Sequence, residues 1–141
     1  MNWILWALLS AFFAGLTAIL AKIGVKDVNS NLATAIRTTV ILVFTWGIVL
    51  ATMPLHSLAT LSRRTWLFLV LSGVATGLSW LCYFRALQLG DASRVAPVDK
   101  LSVVFVILLA AVVLKEKLTW QQGVGGLLIV LGAITLAWKP R

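Results

Sequence analysis

Carboxylates, histidine and cysteine are nearly missing from this chain: four acidic residues, one His and one Cys stand among 141. The single histidine, His56, has no histidine–carboxylate cluster around it, and no Gly-rich phosphate loop opens a soluble helix, so enzymatic chemistry is not expected and no cofactor is implied. The single cysteine, Cys82, excludes an intramolecular disulfide, makes thiolate coordination of a metal implausible, and has packing as its expected role. Charged residues of both signs make up only 11% of the chain, against about a quarter in globular domains, while 61% are hydrophobic. Such a chain belongs in a membrane.

Its apolar residues fall into runs of about 20, the length a helix needs to cross roughly 30 Å of hydrocarbon. Five spans are expected, at about 3–24, 32–52, 65–87, 95–114 and 118–138, with short connectors that leave no room for a soluble domain. The fold class is therefore all-α, a polytopic bundle of five transmembrane helices in one domain over 1–141. The first run lacks a basic n-region and a small-residue cleavage site, and is expected to stay as an anchor. Trp3, Trp6, Trp66, Trp120 and Trp138 mark helix ends, where amphipathic rings favour the interface, whereas Trp46 and Trp80 lie deeper.

The net charge of +8 does not point to nucleic acid, because the cations sit at helix ends and not on one basic face. They set topology instead. With the connectors after spans one and three and the C-terminal tail on one side, that side has Lys22, Lys26, Arg85, Arg94, Lys139 and Arg141; the other has Arg63, Arg64, Lys115 and Lys117. Arg37 widens the difference from two to three. So small a bias fits one orientation or insertion both ways. Five spans put the termini on opposite faces, so two oppositely inserted copies form an inverted repeat.

Small residues recur at helical spacing and predict close helix approach: Gly15 with Ala7 and Ala11 in span one, Gly73 and Gly77 in span three, and Gly125, Gly126 and Gly132 in span five. A tightly packed bundle accounts for them without naming a substrate.

The segment RALQLGDASRVAPVDKLSVVFVILLAAVVLKEKLTWQQGVGGLLIVLGAITLAW, from Arg85, resembles the second part of an EamA domain of the drug/metabolite transporter superfamily. AGLTAILAKIGVKDVNSNLATAIRT resembles the family's first helix and the start of its second. The turn Ala86–Ser93, the helix entered through Pro97, the connector Leu114–Thr119 and the Gly-rich last span follow in the family's order. The resemblance implies a transporter or exporter of small organic molecules, a multi-pass protein of the bacterial inner membrane. Most members carry two such domains, giving ten helices related by inversion. A chain with one is expected to pair, as an antiparallel homodimer or with a separately encoded half. Alternatives are a small-multidrug-type cation exporter, whose hallmark carboxylate in the first span is missing here, a lipid-linked sugar flippase, and a structural subunit assisting another protein.

Charges inside spans are costly and usually face a cavity or a partner. Lys22, Arg37, Asp99 and Lys100 are the candidates for substrate or proton contact, with Trp80 and Tyr83 beside them; Phe84 and Phe105 are further aromatics that can line a route. Lys26 is expected to snorkel to the headgroups. Neighbours on a regular helix point about 100° apart, so Asp99 and Lys100 are not expected to pair with each other. Asp99 pairs with Arg37 or Lys22, or one of the two charges faces the solute, or both lie exposed at the interface. Pro97 is harmless if its helix begins near Arg94 or Val95 and opens a kink if it begins earlier. The summed embedded charge is positive, which favours an anionic or zwitterionic solute over a lipophilic cation.

Overall fold

The structure, a computed structural model, describes residues 2–58 and 60–138. Lys139 and Arg141, counted above for orientation, lie outside the described residues. Every regular element described is helical: α1 (Trp3–Gly24), α2 (Ser30–Thr52), α3 (Arg63–Leu89), α4 (Ala92–Asp99), α5 (Ser102–Val113) and α6 (Trp120–Ala137), with a 3-10 turn at Leu55–Leu58. Five stretches are long and apolar enough to cross a membrane, α4 and α5 together forming the fourth, Ala92–Val113. The protein is an all-α membrane protein with five spans.

The helix ends follow from local chemistry. Asn29 caps α2, its side-chain oxygen accepting the Asn31 N–H at 2.9 Å. Beyond Thr52 the chain turns extended at Met53 and meets Pro54, which cannot continue a helix. Ser62 Oγ accepts the Thr65 N–H at 3.1 Å where α3 begins. Thr119 and Gln122 form a capping box at the start of α6. Lys115 takes a left-handed conformation, φ 55°, after α5, and the Glu116 N–H reaches back to Ala110 O at 3.1 Å.

Threonines within the spans satisfy their own hydroxyls. Thr34, Thr38, Thr45, Thr52, Thr76 and Thr135 each donate to the carbonyl four residues earlier, at 2.7–2.9 Å. A polar group can thus enter hydrocarbon without an unmet donor.

The chain divides into two units, one of Ala21–Gln88 and the other of Met1–Leu20 with Leu89–Arg141. In the first, Val25, Phe84 and Leu87 are buried together with Ser30 and Thr34. In the second, α6 packs against both α4 and α5. Gly126 is buried there, and a Cβ built on it stands 3.6 Å from Ile107 Cδ1 of α5. A Cβ on Gly15, Gly73, Gly77, Gly125 or Gly132 meets no atom of another element of its own unit within 4 Å among the described residues. Most large apolar side chains on the spans are exposed, Phe12, Phe13, Leu69, Leu109 and Leu128 among them, which is the surface that lipid tails cover.

The fourth span differs most from expectation. Helix α4 begins at Ala92, after Asp91, so Pro97 is its sixth residue and lies past the first turn. Proline has no N–H to donate to Ser93 O, and its ring crowds that carbonyl. Beyond it the hydrogen bonds tighten to three-residue spacing: Lys100 N–H to Pro97 O, Leu101 to Val98, Val103 to Lys100 and Val104 to Leu101, at 2.9–3.1 Å. The α-helical hydrogen-bond ladder of the span is thus broken at Lys100 and Leu101, which keep right-handed helical torsions in a 3-10 turn.

Candidate solute-recognition site

Two groups of the sequence candidates gather, one in each unit. In the unit Ala21–Gln88, Trp80, Phe84 and Leu87 recur at i, i+4 and i+7 along one face of α3. Arg37, eight residues into α2, reaches that face: its guanidinium carbon lies 4.3 Å from the Trp80 ring centroid and 5.5 Å from that of Phe84. Trp80 is half-buried and Phe84 buried. Tyr83 meets Phe84 edge to face, their centroids 6.5 Å apart. An arginine inside a span costs at least about 2.5–3.5 kcal/mol on insertion scales. A desolvated guanidinium over an aromatic face recovers about 2 kcal/mol. The rings therefore offset much of the cost of placing Arg37 there.

One turn further along α3, the same face is fastened to the last turn of α1 and to the α1–α2 connector. Lys22 Nζ donates to Leu87 O at 2.6 Å, filling a carbonyl that the end of a helix leaves open. Gln88 Nε2 donates to Val28 O at 2.6 Å and Val25 O at 3.2 Å, while its Oε1 accepts from Arg85 at 3.1 Å. Lys22, Ile23, Val25, Lys26, Leu87 and Gln88 line a cleft of about 480 Å³. Gln88 was not among the sequence candidates. Its only sequence signal is a polar amide at the end of a long apolar helix.

The other group sits at the break of the fourth span. Lys100 Nζ stands 3.6 Å from Asp99 Oδ2, with Asp99 half-exposed and Lys100 more so. The expectation that these neighbours do not pair is overturned. It assumed a regular helix, but α4 ends at Asp99, and Lys100 at its C-cap has enough side chain to swing back. Arg94 pairs with Asp91 at 3.7 Å, and Phe105 lies exposed on α5.

The EamA-like transporter family model matches residues 1–138. The chain belongs to the EamA-like transporter family. It is 54% identical over 136 residues, 96% of each chain, to the "uncharacterized transporter in cobO 3'region" of Sinorhizobium sp. This EamA-like chain is also 35% identical over 74 residues to the "probable 4-amino-4-deoxy-L-arabinose-phosphoundecaprenol flippase subunit ArnE" of Enterobacter sp. (strain 638), across 52% of this chain and 69% of that one. No solved structure matches it significantly. The EamA-like chain is a multi-pass membrane transporter.

Proposed function

We propose that the chain moves small organic solutes across a bacterial inner membrane by alternating access, driven by a gradient and working as a dimer. The partner is a second copy in opposite orientation or a separately encoded half. The observation that carries this reading is the broken fourth span. Lys100 lies eight residues beyond the start of α4, about 12 Å along a span of roughly 33 Å. A turn of this kind re-aims the side chains at its depth, as interruptions in transporter helices do at solute sites near the midplane. Asp99 and Lys100 flank the interruption, and Asp99 is the candidate for solute or proton contact. Within its own unit each group is a candidate for solute contact: Arg37, Trp80 and Tyr83 in the one, Asp99 and Lys100 in the other.

A flippase for lipid-linked sugars is the second reading. It is supported by the similarity to the probable ArnE flippase subunit, and that relative's being a subunit also supports a separately encoded partner.

Solute flux into liposomes containing the purified chain tests the proposal, with a panel of amino acids, nucleosides, sugar phosphates and organic cations. Saturable, gradient-dependent uptake that changes in Asp99→Asn is expected. Flux equal to that of empty liposomes across the panel, in preparations of verified fold and of both insertion orientations, would sink it.

A further inference from the structure

The embedded cations are held differently from one another. Lys22 is bonded to the Leu87 carbonyl, Arg85 to Gln88, Arg94 to Asp91 and Lys100 to Asp99. Arg37 has aromatic faces instead: among the described residues it forms no hydrogen bond and no ion pair, and it stands against the rings of Trp80 and Phe84, with Tyr83 near enough to interact with it electrostatically. A guanidinium has five N–H donors in its plane, and stacking on a ring occupies a face while leaving that edge available. The edge is a rigid fork whose geometry matches a carboxylate or a phosphate with two parallel hydrogen bonds.

Location agrees with this chemistry. Arg37 lies about 10 Å along α2, and Trp80 about 13 Å from the end of α3, so both are well inside their spans. Lys22 and Lys26 line the cleft with Leu87 and Gln88, one turn beyond Phe84 on α3. An anion approaching that end of α3 meets positive charge before it reaches Arg37. A cationic solute meets repulsion at both places.

We infer that Arg37 is an oxyanion-binding residue, receiving the phosphate or carboxylate of the transported molecule on its N–H edge while Trp80 and Phe84 hold the guanidinium flat. The inference rests on the transport reading above and narrows its substrate class to anions and zwitterions. The oxyanion can belong to a soluble solute or to a lipid headgroup.

The test is equilibrium binding of ³²P-labelled inorganic phosphate and ³²P-labelled dodecyl phosphate to the full chain in phosphatidylcholine nanodiscs. The parent should bind dodecyl phosphate saturably, with competition by unlabelled dodecyl phosphate and none by dodecyltrimethylammonium. Arg37→Gln should weaken binding at least tenfold and Trp80→Leu severalfold, with Arg37→Lys between Arg37→Gln and the parent. Parallel loss of inorganic phosphate binding assigns the site to soluble oxyanions; loss confined to dodecyl phosphate assigns it to lipid-borne ones. Binding within twofold of the parent in Arg37→Gln overturns the inference. So does competition by the ammonium probe in the parent, which remains informative if Arg37→Gln does not fold. Flux on the same preparations separates the two readings. Flux with Arg37-independent binding keeps transport and removes the site, whereas Arg37-dependent binding without flux supports the site and removes transport.

Discussion

Lys22 and Leu87 lie 65 residues apart in sequence and are joined by a 2.6 Å hydrogen bond, from the Lys22 ammonium in α1 to the Leu87 carbonyl in α3. The bond sits beside fully buried Val25 and Leu87, where water competes poorly for the carbonyl. It places a cation in the last turn of a helix, where the macrodipole favours positive charge. Lys22, weighed from sequence as a solute contact, thus has a fastening role, and the Gln88 amide reinforces it on Val25 O and Val28 O.

Lys22→Met keeps the apolar stem and removes the donor. A part-buried carbonyl left without its partner should lower stability by about 1–3 kcal/mol, read as a drop in the unfolding midpoint in mixed detergent. Hydrogen exchange should accelerate in the connector 25–29. A change below about 0.5 kcal/mol would place Lys22 among ordinary surface positions.

Pro97→Ala restores the N–H that Ser93 O lacks. Regularising the helix here recovers up to about 3 kcal/mol of local helix stability, so amides from Val98 to Val104 should exchange more slowly. If the break serves the solute path, flux should fall tenfold or more while the fold becomes more stable. Unchanged flux with raised protection would detach the break from transport.

The glycines divide by surroundings. Gly126→Leu would drive a side chain into Ile107 and should cost about 1–3 kcal/mol by overpacking. Gly77→Leu meets open space within its own unit, so the isolated chain should keep its unfolding midpoint. If that stripe packs against a partner copy, cross-linked dimer should fall severalfold in Gly77→Leu. Equal cross-linking in Gly77→Leu and the parent would move the interface elsewhere.

The spans were legible because length and hydropathy are local properties: Trp3–Gly24 could be read directly from the run of apolar residues and Gly24 at its end. The break in the fourth span was only half legible. Pro97 raised the question, but its effect depended on the helix starting at Ala92 and not at Val95, and helix starts are poorly specified where the cap side chain makes no hydrogen bond, as at Asp91. Partners across helices were not legible. A search for opposite charges does not find the two aromatic rings against which Arg37 stands, nor the backbone carbonyl that accepts from Lys22, which any residue could supply. Gln88 escaped notice for the same reason, since both its acceptors are main-chain atoms.

Pairing of the chain with an inverted copy of itself is tested most directly by C-terminal fusions to two reporters, one active only in the cytoplasm and one only in the periplasm. Insertion both ways, the outcome that the near-balance of lysines and arginines leads us to expect, would give substantial activity from both reporters in the same cells. Activity from a single reporter, at full expression, would contradict the antiparallel homodimer and leave a separately encoded partner to complete the transporter.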